Sequence, residues 1–136
     1  MAGIKDKNSK PEMIMRRGLH RLGFGFRLHN KDLPGRPDLV FRKFDSVIFV
    51  NGCLWHGHGC HLLKWPKTRR DFWRSKIEAN IARDRDVCQK LDKLEIDYLT
   101  VWECELRSNT VEEQEKVIEV CASWLDDILK RKAVLK

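Results

Sequence analysis

The run Cys53-Leu54-Trp55-His56-Gly57-His58-Gly59-Cys60-His61 places two cysteines and three histidines within nine residues, and this density constrains the chain more than any other feature. The surrounding stretch, residues 51–65, has neither helical nor strand periodicity. Gly52, Gly57 and Gly59 let the backbone wrap tightly around an ion. Structural zinc takes four N or S ligands in tetrahedral geometry. Cys53, His58 and Cys60 can supply three from one loop, although His56 and His61 compete with His58 and spacing does not decide among them. Cys88 and Cys121 fall on apolar helical stripes and read as small core residues. Cys104 follows the strand-like run Tyr98–Trp102, and a thiol at a strand end can reach a loop leaving the neighbouring strand. The expected zinc set is therefore Cys53, His58, Cys60 and Cys104. Four protein ligands close the site, and such a site contributes about 10–16 kcal/mol of apparent binding energy to folding.

The rest of the chain reads as helices and short strands. Ser9-Lys10-Pro11-Glu12 forms a capping box, followed by Met15, Leu19 and Leu22 at helical spacing and a stop at Gly23. Phe24, Phe26 and Leu28 alternate as in a strand. After the turn Leu33-Pro34-Gly35-Arg36-Pro37 come two apolar runs, Leu39–Phe41 and Val47–Val50, which read as adjacent strands of a buried sheet. Thr68 can cap a long helix whose stripe is Trp73, Ile77, Ile81, Cys88, Leu91 and Leu94, with Asn80 and Asp84 sharing a face. A last helix opens at Thr110 and Glu113 and carries Val117, Cys121, Trp124, Leu125 and Ile128. The expected order is αβββαβα, one α/β domain over residues 1–136 with a small mixed sheet flanked by helices.

Charge narrows the partner. The 27 Lys and Arg against 20 Asp and Glu leave a formal charge of +7. Residues 1–50 hold 11 basic and 5 acidic side chains, whereas residues 101–136 hold 6 and 8. An anionic partner such as DNA should therefore meet the first two-thirds of the chain. Lys64, Lys67, Arg69 and Arg70 are candidate phosphate contacts. Trp65, Trp73, Trp102 and Trp124 read as core residues, and His20 and His29 as surface residues. No run approaches the ~18 apolar residues of a membrane span. The polar start MAGIKDKNSK carries no signal peptide and five cysteines are an odd number, so a cytoplasmic setting with reduced thiols is expected.

One acidic residue stands apart. Asp38 opens an apolar strand, and the following strand runs through Val50 and Asn51 into the cysteine–histidine loop. Glu12 and Asp84 lie on helices that can flank the same strand ends. A strand-end carboxylate, a backbone carbonyl and outer carboxylates suit the hard cation Mg²⁺, which can orient water in phosphodiester cleavage.

Several motifs in unbroken order over residues 1–107 resemble the very short patch repair (Vsr) endonucleases. They are Leu33-Pro-Gly-Arg-Pro-Asp38, Val47-Ile-Phe-Val-Asn-Gly-Cys-Leu-Trp-His56, Phe72-Trp73, Ala82-Arg-Asp-Arg85 and Val101-Trp-Glu-Cys-Glu-Leu-Arg107. The resemblance implies a restriction-endonuclease-like fold with structural Zn²⁺, and Mg²⁺-dependent nicking of duplex DNA 5′ to the T of a T:G mismatch left by 5-methylcytosine deamination. It implies that Asp38 binds Mg²⁺, that the Val50 carbonyl joins the metal shell and that His56 activates the attacking water. An imidazole suits that last role because its unperturbed pKa is about 6.5. Glu12 and Asp84 match supporting acidic positions, Asn80 a polar one, and Cys53, His58, Cys60 and Cys104 the zinc ligands. Asn51 stands where some members have a second active-site histidine; it can hold a phosphate or a metal-bound water but cannot shuttle protons near neutrality. Trp55 and Leu54, the latter in place of an aromatic, match side chains that wedge beside the mismatch, and Met1 matches an inserting residue of the N-terminal segment. Members usually carry a longer arm before that position, so a shorter clamp is expected here. The implied partners are mismatched DNA, mismatch-repair proteins or a cytosine-5 methyltransferase system, with the chain acting as a monomer.

Two other classes remain open on sequence. A zinc-stapled DNA-binding module with lost or relaxed nuclease activity would keep the loop and the charge. A zinc hydrolase would use His56, His58 and His61 and leave one coordination position open.

Overall fold

A computed structural model describes residues 9–53, 69–106 and 110–135. Helix α1 (Lys10–Arg21) begins at the expected cap: Ser9 is extended, and its hydroxyl accepts the Glu12 N–H at 3.4 Å. Pro11 fits the first turn because its missing N–H would have had no helical partner. Pro11, Glu12, Met15 and Leu19 are buried. Leu22 departs from the expected stripe: it is the C-cap and is exposed, because the chain turns away through Gly23 at φ 93°.

Strand β1 (Arg27–Leu28) is shorter than the alternation of Phe24, Phe26 and Leu28 predicts. The two phenylalanines pack into the core instead, Phe24 against Phe44 and Phe26 edge-on to Phe41. Strands β2 (Leu39–Phe41) and β3 (Ser46–Asn51) are joined by a 3₁₀ turn over Arg42–Phe44, which ends at a left-handed Asp45. Helix α2 (Arg70–Lys93), strand β4 (Asp97–Trp102), the short helix α3 (Glu103–Leu106) and helix α4 (Val111–Leu135) complete the order. The expected α2 cap, Thr68, lies outside the described residues. Leu94, expected on the α2 stripe, is the C-cap and is exposed.

The sheet is four-stranded, ordered β1-β2-β3-β4. Pairing is antiparallel from β1 to β3 and parallel between β3 and β4. The mixed sheet between helices is the expected one, and the parallel pair needs a crossover, which includes α2. Strand alternation divides the core. Leu39, Phe41, Ile48, Val50, Leu99 and Val101 meet α1 and α4 through Met15, Leu19, Ile118, Leu125 and Ile128. Val40, Val47, Phe49 and Tyr98 meet α2 through Val87 and Leu91. Cys121 is a buried core thiol as expected, while Cys88 is only half-buried. Among the described residues no helix is long and apolar enough to cross a membrane.

The tightest helix contact explains a residue that intrinsic propensity disfavours. Gly18 lies inside α1, where glycine costs about 1 kcal/mol relative to alanine. A Cβ there would lie within 3 Å of Cγ1, Cγ2 and Cδ1 of Ile118, so α4 occupies the space a side chain would need. Gly18→Val should therefore destabilise the fold by about 1–3 kcal/mol in urea unfolding. Ile118→Ala in the same chain should recover part of that loss, and a Gly18→Val chain as stable as the wild type would contradict the contact.

Candidate active site

Asp38 immediately precedes β2, whose first residue pairs with Ile48 of β3. That register carries Asp38 to the level where β3 has no further partner from β2. There its Oδ2 accepts the Val50 N–H at 2.7 Å. The N–H and C=O of one strand residue face the same neighbour, so the Val50 carbonyl is turned to the same edge. The turn before Asp38 is wedged against α2: a Cβ on Gly35 (φ 78°) would lie 2.6 Å from Val87 Cγ1. Only glycine fits both that conformation and that approach. Pro37 is buried, so Asp38 leaves the turn from a fixed point.

Glu12 arrives from the first turn of α1, with 1% exposure. Its Oε2 lies 2.8 Å from His29 Nε2 and 3.4 Å from Arg16 Nη1. The His29 N–H donates to the Asp38 carbonyl at 3.2 Å. One ligand atom each from Glu12, His29 and Asp38 lies within 4.8 Å of the others. Burial pushes the Asp38 carboxyl up to about 7, and the Glu12 charge and a hydrogen bond with Glu12 push the same way. The Val50 N–H and the His29 charge oppose that rise. Two carboxyl groups within 4.8 Å of each other fit a divalent cation, and two carboxylates with a backbone carbonyl form the hard oxygen set that Mg²⁺ takes.

Strand ends place the other candidates. Asn51 ends β3, half-buried and in register with Trp102 at the end of β4. Cys53 and Cys104 stand two residues beyond that pair, so parallel register sends both from the same sheet edge. Cys53 is buried and Cys104 half-buried. Asn80 and Asp84 are half-buried on α2, and Asp84 lies seven residues from both Ile77 and Leu91, on the inward stripe. Among the described residues Asp84 does not join the Glu12–His29–Asp38 group. Arg69 and Arg70 are exposed. The Arg69 guanidinium sits 4.3 Å from the centre of the Phe72 ring, and Phe72 is 42% exposed. Trp73, Trp102 and Trp124 are half-buried. Met1, Leu54, Trp55, His56, His58, Cys60, Lys64 and Lys67 lie outside the described residues.

His29 is the correction: read from sequence as a surface residue, it is half-buried against Glu12. No local pattern marks it. Its partner is 17 residues away, and the contact exists only once the β1–β2 hairpin closes on α1.

Comparison with known proteins adds independent findings. The family model described as DNA mismatch endonuclease Vsr matches residues 1–62. The type II nicking enzyme V.XorIIP of Xanthomonas oryzae pv. oryzae is 49% identical over 106 residues, covering 78% of each chain. The type II nicking enzyme V.NmeAIP of Neisseria meningitidis is 39% identical over 111 residues, covering 82% of this chain and 79% of its own. The DNA mismatch endonuclease Vsr of Escherichia coli K12 is 38% identical over 125 residues, covering 92% of this chain and 80% of its own. The four-stranded mixed sheet flanked by helices fits such a restriction-endonuclease-like domain.

The Asp38 environment sets a pH dependence. The folded chain keeps the proton up to about pH 7, whereas an unperturbed aspartate releases it near 3.8. Between those values the folded state binds more protons than the unfolded state, so this group's contribution to stability falls as pH rises. Urea unfolding at pH 5 and pH 8, without added divalent cation, should show wild type losing more stability than Asp38→Asn. Equal losses would contradict the buried, protonated carboxyl.

Proposed function

Because the chain belongs to the Vsr family of DNA mismatch endonucleases, we propose that this endonuclease nicks duplex DNA on the 5′ side of the T in a T:G mismatch, the lesion left by 5-methylcytosine deamination. The observation that carries the reading is the pair of adjacent carboxyl groups, Glu12 and Asp38, at the open edge of the sheet beside Val50. Asp38 and the Val50 carbonyl would hold Mg²⁺, and Glu12 would support them from α1. Bound there, Mg²⁺ supplies Lewis-acid stabilisation of the charge that builds on the phosphate. His56 takes the proton of the attacking water, while Asn51 hydrogen-bonds a phosphate oxygen or a water without carrying protons itself. Asp84 and Asn80 support the same edge from the inward stripe of α2.

Cys53, His58, Cys60 and Cys104 would bind Zn²⁺ structurally, a set supported by the equivalent places of Cys53 and Cys104 beyond paired parallel strands. The zinc loop presents Trp55 and Leu54 as wedges beside the mismatch, with Met1 from the N-terminal segment; unstacking is cheapest where pairing is already defective. Lys64, Lys67, Arg69 and Arg70 bind phosphates. The chain works as one domain and one copy, in the bacterial cytoplasm on nucleoid DNA. Mismatch-repair proteins or a cytosine-5 methyltransferase system are its functional companions.

With Mg²⁺ present, a T:G duplex should be nicked on the T strand while the matched T:A duplex stays intact; equal cutting of both would overturn the mismatch reading. Log affinity for DNA should fall with log salt at a slope of about −0.9 per phosphate contact. For the zinc site, metal analysis should find zinc in the purified protein, and Cys104→Ala should lose it together with a marked drop in Tm. A Cys104→Ala chain that keeps its zinc would contradict the four-ligand set.

A further inference from the structure

Among the described residues Glu12 is the one fully buried acidic side chain. A buried carboxylate is costly unless it is paired and hydrogen-bonded. Arg16 reaches it from the same helix at 3.4 Å, a long contact made by a partly exposed side chain. His29 makes the shorter bond, 2.8 Å, from a different element. The bond joins His29 Nε2 to Glu12 Oε2, and an N–H at that nitrogen is what a carboxylate can accept.

The main chain of His29 is tied as well as its ring. Its N–H donates to the Asp38 carbonyl at 3.2 Å, and its φ is 48°. Few residues other than glycine take that left-handed conformation, histidine being one of those enriched there. Such strain persists where surrounding contacts over-determine it and gathers at functional sites. The backbone of His29 thus grips Asp38 while its ring grips Glu12. The two carboxylates come from elements far apart in sequence, and His29 is bonded to both of those residues, beside the hydrogen bond that the carboxyl groups share.

We propose that His29 is a positioning residue of the nicking site, a strap that holds Glu12 and Asp38 at ligand spacing for a divalent cation. It acts through Glu12 and touches neither the reacting phosphate nor the attacking water. This inference rests on the nicking site proposed above. It also assigns a role to a histidine that the metal loop does not contain and that the strand carrying Asn51 does not supply.

The test is a cycle of His29→Ala, Glu12→Gln and the double variant, with His29→Gln as the conservative replacement that keeps an N–H donor. Mn²⁺ binding is measured by calorimetry on the full chain without DNA, and kcat and KM are measured for nicking a T:G duplex with Mg²⁺. His29→Ala should weaken Mn²⁺ binding and lower kcat, each by about 10–100-fold, as loss of an outer-shell partner does. KM for DNA should stay within about twofold, since no DNA contact is lost. His29→Gln should recover most of both losses. In the Glu12→Gln background His29→Ala should change Mn²⁺ binding by less than about twofold, because a residue acting through Glu12 has nothing left to orient.

Wild-type Mn²⁺ affinity in His29→Ala, additive losses in the double variant, or a His29→Gln chain as impaired as His29→Ala would each overturn the strap. If His29→Ala fails to fold, His29→Leu, which keeps bulk without a donor, replaces it against His29→Gln with the same criteria. The Mn²⁺ measurement stands without DNA. A wild-type chain that fails to nick the T:G duplex therefore overturns the proposed function, while the binding losses still decide the strap.

Discussion

Two neighbouring carboxyl groups, the buried Glu12 and the half-buried Asp38, set the terms for everything around them. Asp38 reaches the site only because β2 and β3 pair in a register that leaves the Val50 N–H free of β2 and 2.7 Å from its Oδ2. A slip of one residue would turn every side chain of β2 to the opposite face and take Leu39 and Phe41 out of the core they share with α1 and α4. The apolar packing that stabilises the sheet therefore also aims the carboxylate. Glu12 is subject to the same coupling from the other side. It sits one turn before Met15, and Met15 and Leu19 lock α1 onto the same face of the sheet. The place of the acidic pair follows from core packing, and burial, with Glu12 close by, raises the Asp38 carboxyl.

The parallel pair β3–β4 gives the site its second half. Parallel strands end at the same edge, so Asn51 and Trp102, and two residues on Cys53 and Cys104, leave the sheet together. That geometry supports a zinc clamp joining the loop after β3 to the start of α3, next to the acidic edge. A clamp of this kind would fix the proposed wedge residues, Leu54 and Trp55, relative to the metal site. The crossover that makes the pair parallel includes α2, whose inward stripe carries Asn80 and Asp84 among apolar residues. Polar residues on a packing face are costly unless they are engaged, which fits a helix that serves the site as well as the core.

Much of this was legible in the sequence. The Ser9 cap, the bounds of β2, the adjacency of β2 and β3, and the mixed sheet all follow from local rules: a hydroxyl before a helix, short apolar runs and turn residues between them. The position of Asp38 was legible too, because a carboxylate at the head of an apolar strand breaks the pattern around it. Failures came where a residue's environment is made by distant chain. His29 has an ordinary local context and acquires its partners only in the tertiary fold. Leu22 and Leu94 continue helical stripes in sequence, yet each falls at a C-cap, where the chain has already turned from the core. The aromatic alternation of Phe24 and Phe26 mimics a strand because both side chains face the core, although the hydrogen-bonded ladder extends only over Arg27–Leu28.

Whether this endonuclease cuts at the Asp38 end of the sheet is decided by single-turnover nicking of wild type and Asp38→Ala across a Mg²⁺ titration, with DNA affinity measured in parallel. The wild type should show saturable Mg²⁺-dependent nicking, and Asp38→Ala a rate at background with DNA affinity kept. Nicking by Asp38→Ala at the wild-type rate, or wild-type nicking that needs no divalent cation, would contradict cutting there.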